Sequence, residues 1–308
     1  MGKKYQNLDA NESIFFAREL EFVKTKTYDI IFPELKARTH IPVSFEAGEG
    51  AESITYQQFT QLGVAKIISN YADDLPRADV AGKEFTAPVK SLGDSYGWNV
   101  QEIRAARMAG RPLPQRKANA ARRAIATLEN RIAYFGDTDS GLQGFLTNPN
   151  VNTVVIPADG AGSSKKFADK TPTQILRDLN SMATSIHAVS KGVESPDTLL
   201  LPLTQFNLIF TTQLSSGTDM TIGKFFLENS PHITNIDWLN EIEGSGPGGV
   251  DQMVAYRRDP DKLTLEIPQD FEQFPVQKRG LEFLVPCHER CGGVIIYYPL
   301  SVAIADDI

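Results

Sequence analysis

The sequence predicts an α+β protein, and three features carry that prediction. One long amphipathic helix fills the second half of the stretch Leu92–Gly136, an arm and a hairpin precede it, and a mixed α/β portion with a β-rich return follows it. In the helix, Ala118, Ala121, Ile125, Leu128, Ile132 and Phe135 recur at steps of three and four, which sets them on one core-facing stripe. The residues between them are rich in Ala, Arg, Lys and Gln, all good helix formers. Pro112 and Pro114 fit at or before the first turn, and Gly136 fits the left-handed position just past the end. A shorter helix comes first, with Asn99 as N-cap, Glu102 as its capping-box partner and Gly110 closing it.

Upstream, residues 1–45 read as an arm. Asn11 or Ser13 caps a short helix with Phe16, Leu20 and Val23 on one face, and Pro33 and Pro42 then forbid further helix. So many apolar residues without a nearby partner segment must pack on something else. Residues 51–91 read as a long hairpin. One strand runs over Ser53–Ala72 with Ile54, Tyr56, Val64, Ile67 and Ile68, and the return runs over Ala81–Leu92 with Phe85, Ala87 and Val89 alternating. Asp73–Lys83, with Pro76 and Gly82, is the expected polar tip. A two-stranded ribbon is marginally stable alone in water, so its apolar faces need a surface from this chain or from another.

Downstream, a turn-rich connection leads to a short strand, VNTVVIP, and then to a Gly/Ser/Lys loop. A helix over Thr173–Ser190 follows, with Ile175, Leu179, Met182 and Ile186 on one stripe and Thr171 or Thr173 as cap. TLLLPLTQFNLIF is a buried strand that passes at Pro202 into a helix. Thr221–Leu227 and Ile233–Leu239 bracket another helix–strand pair, and GSGPGG ends the α/β portion. From Val250 the pattern is β-rich: Leu263, Leu265 and Ile267 alternate, as do Leu281, Phe283 and Val285, and VIIYYPLSVAI is an apolar run suited to a central strand.

The chain has 308 residues, 41% hydrophobic and 22% charged, ordinary for a globular protein with a sizeable core. No apolar run approaches the ~18 residues that span a membrane. MGKKYQNLD has neither the apolar centre of a secretory signal nor, with Gln6 in place of Ser or Thr, a myristoylation site. Two cysteines make no disulfide framework, so a reducing compartment is expected. The net charge of −7 hides an asymmetry: Arg104, Arg107, Arg111, Arg116, Lys117, Arg122, Arg123 and Arg131 face a single acid, Glu129, over residues 104–131. That segment is a solvated helix face, a surface for acidic arms of neighbouring copies, or a non-specific contact to nucleic acid.

Motifs for catalysis are weak. Gly244, Gly246 and Gly249 match G-x-G-x-x-G, but Pro247 interrupts it and a strand-like segment follows where the dinucleotide fingerprint needs a helix. The GAGSSKK loop lacks P-loop spacing. Asp137, Asp139 and Gly141 resemble the start of a calcium loop, but Asn148 stands where the bidentate Glu belongs, which leaves a polar turn. Cys287, His288, Glu289 and Cys291 form the one tight group of metal-type ligands. His40, His187 and His232 are isolated in sequence, so the group is expected to be a turn with incidental thiols. No cofactor is expected, and no nucleophile motif is present.

The order of parts resembles the major capsid protein of tailed bacteriophages, the Hong Kong 97-like shell fold shared with encapsulins. FFARELEFVKTKTYDIIFPELKARTHIPV is similar to that family's N-arm and YADDLPRADVAGKEFTAPVKSLGDSYGW to its extended loop. QEIRAARMAGRPL with AARRAI and AYFGD is similar to its spine, and GGVIIYYPLSVAI to the strand closing its peripheral domain. The resemblance implies an N-arm over 1–45, an extended loop over 46–91, a peripheral domain over 92–150 and 250–308, and an axial domain over 151–249. It also implies assembly without catalysis into hexamers and pentamers of an icosahedral shell around double-stranded DNA, in the virion after assembly in the host cytoplasm. Partners would be the chain itself, portal and scaffold or cement proteins, and packaged DNA, with no membrane. Arg104, Arg107, Arg111, Arg122 and Arg123 are the expected inter-subunit or DNA-facing residues. Asp73, Asp74, Arg77, Lys83 and Glu84 are the expected extended-loop contacts. Some relatives weld a loop lysine to a neighbour's asparagine; Lys66, Lys83 and Lys90 are in the hairpin, but the sequence identifies no acceptor. An encapsulin-type shell and, more remotely, a nucleotide-binding α/β enzyme are the alternatives.

Overall fold

The computed structural model describes residues 30–67, 76–110, 113–215, 217 and 219–308. The chain divides into two units, Met1–Glu34 and Leu35–Ile308, and the second is described here. It opens with a four-residue helix, α1 (Ala37–His40), and a short strand, β1 (Val43–Ser44). The last part of the expected arm packs on the body. Ala37 and Ile41 are buried in the body's own core, and β1 pairs in parallel with a strand near residue 265. The expected helix around Phe16 and Leu20 lies outside the described residues.

The hairpin forms from β2 (Ser53–Leu62) and β3 (Asp79–Pro88), paired over ten positions from Ser53↔Pro88 to Leu62↔Asp79. The first strand ends at Leu62 rather than Ala72, and Asp79–Lys83 of the expected tip are strand residues. The return strand resumes at Asp79, and Gly82 is a strand residue because the Phe59 ring lies over it, 2.9 Å from where a Cβ would stand. A ten-residue strand, β4 (Lys90–Asn99), then leads into α2 (Val100–Ala109), capped by Asn99 and Glu102 as expected and closed by Gly110 at φ 63°. The spine, α3 (Leu113–Phe135), ends at Gly136, φ 69°. There the chain reverses so tightly that a Cβ on Gly136 would be 2.4 Å from the Leu142 carbonyl. The stripe differs from expectation at one step: Leu128 is 40% exposed, and Glu129, 3% exposed, takes the inward position with Ala121, Ile125 and Ile132.

Then follow β5 (Asn152–Val154), α4 (Pro172–Val189, with Thr171 in a capping box), β6 (Thr198–Leu201), α5 (Leu203–Thr211), α6 (Ile222–Asn229) and β7 (Asn235–Trp238). The last third is β8 (Gln252–Tyr256), β9 (Leu263–Glu266), β10 (Gln269–Gln273), β11 (Gln277–Arg279), β12 (Glu282–Cys291), β13 (Gly293–Ile296) and β14 (Val302–Asp306). Pro299 splits the run VIIYYPLSVAI, so it makes two strands in two sheets rather than one central strand.

Sheet membership divides the segment 250–308 among different sheets. β8 and β14 join β5, β6 and β7 in one five-stranded sheet ordered β5-β14-β8-β6-β7. Its central strands are apolar on both sides. Leu200, Val254, Tyr256, Val302 and Ile304 face the core shared with the spine, and Leu199, Leu201, Met253, Ala255, Ala303 and Ala305 face the core under α4, α5 and α6. A sheet covered on both faces needs near-continuous apolar strands, and TLLL and MVAY supply them. β12 pairs with β4 along its whole length and with β10 and β11 on the other side, and this sheet packs against the spine.

Ile125 is 1% exposed and Leu128 is on the solvent side. Ile125→Ala should cost about 2–5 kcal/mol, whereas Leu128→Ala should stay within roughly 0.5 kcal/mol; thermal or urea unfolding of the two variants checks both.

Candidate assembly surface

The hairpin is built from its root outward. Directly paired residues share a face, so Ile54, Tyr56, Gln58, Phe85, Ala87 and Lys83 line one side of the ribbon. That side meets the body near its root. Tyr56 stacks on Phe85 at 5.2 Å and meets Tyr297 edge-on at 5.0 Å, and the Gln58 amide donates to the Tyr297 carbonyl at 2.6 Å. Between root and body lies a cavity of about 460 Å³, lined by Tyr56, Lys83, Gln143, Asn148, Val294 and Leu300. Beyond it the ribbon has no second layer among the described residues. Phe59, 68% exposed, and Val80 occupy the side turned away from the root contact, while Leu62, Val64 and Ile67 are exposed toward the tip.

The predicted extended-loop residues separate. Lys83 lies with its Nζ 4.6 Å above the Phe85 ring, and Glu84 accepts from the Gln57 amide at 2.7 Å, so both are engaged within the ribbon. Arg77 is exposed, with no ion pair among the described residues. Asp73 and Asp74 lie outside the described residues, as does Arg111.

The basic segment separates too. Arg104 and Arg107 project from α2, a helix with no buried residue, and have no ion pair among the described residues; Met108 beside them is almost fully exposed. Arg122 instead lies 5.3 Å from the Phe271 ring of β10, and Arg123 is half-buried. Lys117 ties α3 back to α2, donating to the Gly97 carbonyl at 2.7 Å and to Glu102 at 3.2 Å. Arg104 and Arg107 of α2 are exposed, as are Arg116, Arg122 and Arg131 of α3, so both helices contribute to the outward basic surface.

The weaker motifs resolve as structural parts. Cys287 and Cys291 are buried on β12, and four residues of strand put them about 13 Å apart, too far to share an ion. The glycine loop runs from a 3₁₀ turn (Asn240–Ile242) into β8 with no helix after it. The Gly/Ser/Lys loop is fastened by Lys170 to Asp178 at 2.5 Å and by Arg177 to Asp159 and Asp178. The Arg177 guanidinium holds the Asp159 carboxyl down at about 2. Asp137 and Leu142 exchange backbone hydrogen bonds, which makes the calcium-like stretch the polar turn expected of it.

Sequence reasoning missed the segment that joins the spine to the five-stranded sheet. Lys36 donates to Asp237 at 3.0 Å and to the Trp238 carbonyl at 2.8 Å. His40 bridges Tyr134 of the spine and Asp237 of β7, each at 3.0 Å, and Arg38 grips Glu129. Burial holds the His40 pKa below its usual value although Asp237 opposes this. The sequence signal was slight: a basic residue at every second position, Lys36, Arg38 and His40.

Residues 63–308 match the profile of the major capsid protein family. The chain belongs to that family. Solved structures agree on the fold. The capsid of Myoviridae phage XM1 superposes with a TM-score of 0.83 at 20% identity, covering 96% of this chain and 99% of that one. A structure of Mycobacterium phage Ogopogo gives 0.61 at 12% identity over 96% and 100%. A virus-like particle from Pyrococcus furiosus gives 0.51 at 14% over 87% and 90%. No curated protein matches. The capsid protein thus has the shell fold its sequence resembles, and it is a shell protein.

If the root contact alone holds the ribbon to its own subunit, Tyr297→Ala should free it. Limited proteolysis of unassembled protein should then cut within residues 50–90 several times faster, while the thermal midpoint of the body stays close to that of the parent.

Proposed function

We propose that copies of this capsid protein form hexamers and pentamers of an icosahedral phage shell around double-stranded DNA, and that the protein's role is assembly rather than catalysis. The observation that carries this reading is the outer half of the hairpin, where Phe59, Leu62, Val64, Ile67 and Val80 stand exposed on a ribbon with one covered root. Covering one such side chain contributes about 1.5–3 kcal/mol. Many such contacts repeated around closed rings make a shell far more stable than any single contact. In this reading the spine with the β4-β12 sheet is the peripheral domain, and the five-stranded sheet with α4–α6 is the axial domain. The axial domain then includes β8 and β14 from the C-terminal third. Portal, scaffold and cement proteins are the further partners of such a shell, and the host cytoplasm is where it assembles.

The unpaired Arg104 and Arg107 suit a polyanion or an acidic segment of a neighbouring copy. The phage reading is preferred over a nanocompartment because the superposition on the phage XM1 capsid is much the better of the two.

Two experiments test this. Electron micrographs of the purified protein should show rings or shells, and Phe59→Asp with Val80→Asp should abolish them while circular dichroism stays unchanged; shells persisting in the double variant would overturn the hairpin's role. Arg104→Glu with Arg107→Glu should lower packaged DNA severalfold in intact shells if α2 faces the genome, or prevent assembly if it meets a neighbour. Parental behaviour in both respects would show a merely solvated face.

A further inference from the structure

Three carboxyl groups and one guanidinium meet where the chain enters the body. Arg38 of α1 donates to both oxygens of Glu129 on the spine, each at 2.7 Å, and to Asp270 of β10 at 2.9 Å. Glu289 of β12 places Oε1 3.5 Å from the same guanidinium nitrogen, and that oxygen has no hydrogen-bond partner among the described residues. Glu289 is 1% exposed and Glu129 nearly as buried, whereas Asp270 reaches solvent. In the row that β12 turns toward the spine, Glu289 is the charged-type residue among Val285, Cys287 and Cys291. Two further groups face the cluster. Burial pushes the Cys291 thiol up to about 12, so it is neutral, and Arg122 on the spine acts on Asp270.

With every carboxyl ionised, one guanidinium would face three negative charges, two of them cut off from water. Like charges sharing a buried site force one of the groups to keep its proton. We propose that Glu129 and Glu289 share a single proton at neutral pH, and that this proton is a lock: Glu289 donates to Glu129, Glu129 receives Arg38, and α1, the spine and β12 are held together through one buried point. Loss of the proton as pH rises sets two buried carboxylates against each other and loosens α1 on the spine. This device belongs to the subunit's own fold and does not depend on what the shell contains.

The direction of the pH dependence follows. Burial first, and then the hydrogen bond to Glu129, push Glu289 up to about 8 from an ordinary value of 4.5. Between these values the folded chain binds a proton that the unfolded chain has released. Stability from the pair is therefore full below about 4.5 and is lost as pH rises through about 8. At its steepest the unfolding constant rises about tenfold per pH unit.

Thermal melts of the full-length protein from pH 5 to 8.5 test this against Glu289→Gln, with Glu228→Gln on the exposed side of α6, outside the cluster, as control. Glu289→Gln should gain on the parent steadily as pH rises, while Glu228→Gln should keep the parental profile. Parallel profiles for parent and Glu289→Gln would overturn the proposal. Should Glu289→Gln not fold, infrared spectra of the unaltered protein decide. A neutral-carboxyl band at pH 7, where exposed Asp and Glu are ionised, supports the lock, and its absence overturns it.

Discussion

A two-stranded ribbon ten residue pairs long cannot cover its own faces. The rest of the subunit is arranged around that constraint. At the root the ribbon gains a second layer from Tyr297 and the residues near Gly292, so its direction is set by aromatic contact and by the Gln58 hydrogen bond. Farther out, Phe59 and Val80 are exposed among the described residues. A row of large apolar residues exposed on a paired ribbon suits a protein that assembles with its own copies.

Projecting the ribbon requires a rigid base, and two sheets on the spine provide one. The five-stranded sheet is buried on both faces, so it serves two cores at once: side chains alternating along β6, β8 and β14 go to the spine side and to the α4–α6 side in turn. The β4-β12 ladder runs directly from the hairpin's return strand to the first residue of α2. Ribbon, sheet and spine therefore form one continuous mechanical path, with no loop longer than a residue between β3, β4 and α2.

Helices and apolar strands were legible in the sequence because their signals are local. Asn99, Glu102, Gly110 and Gly136 predict helix ends through backbone chemistry that tertiary contacts do not alter. β4 was not legible: Ser91, Gly93, Ser95 and Gly97 fill one face, and the apolar alternation of Leu92, Tyr96 and Trp98 is broken by Asp94. The pairing of β8 and β14 with earlier strands was not legible, because a long return of the chain to an earlier sheet leaves no periodic mark. β14 reads as any apolar strand until its partners β5 and β8 are known. Leu128 and Glu129 show the limit of period counting. One step along a helix is 100° of rotation, and the inward position went to the acid because Arg38 arrives from a segment about ninety residues away. The basic candidates were legible as charge and not as geometry, since Arg122 turns to Phe271 while Arg104 and Arg107 have no ion pair among the described residues.

The entry segment explains why polar groups occupy so costly a place. Ala37 and Ile41 bury apolar surface, but two small contacts do not fix the rotation of a four-residue helix. Lys36, Arg38 and His40 orient it by reaching Asp237 and Trp238, Glu129 and Asp270, and Tyr134. Each bond has a fixed geometry and a partner on a different element. Replacing such groups by apolar ones of equal volume often costs nothing in stability, so stability alone does not account for them. Direction does: apolar packing tolerates rotation of a short helix about its axis, whereas a bidentate guanidinium and a histidine bonded at both nitrogens do not. The same bonds that fix α1 join the spine to β7 through Tyr134, His40 and Asp237. The two cores are thereby coupled at the point where the chain enters the body.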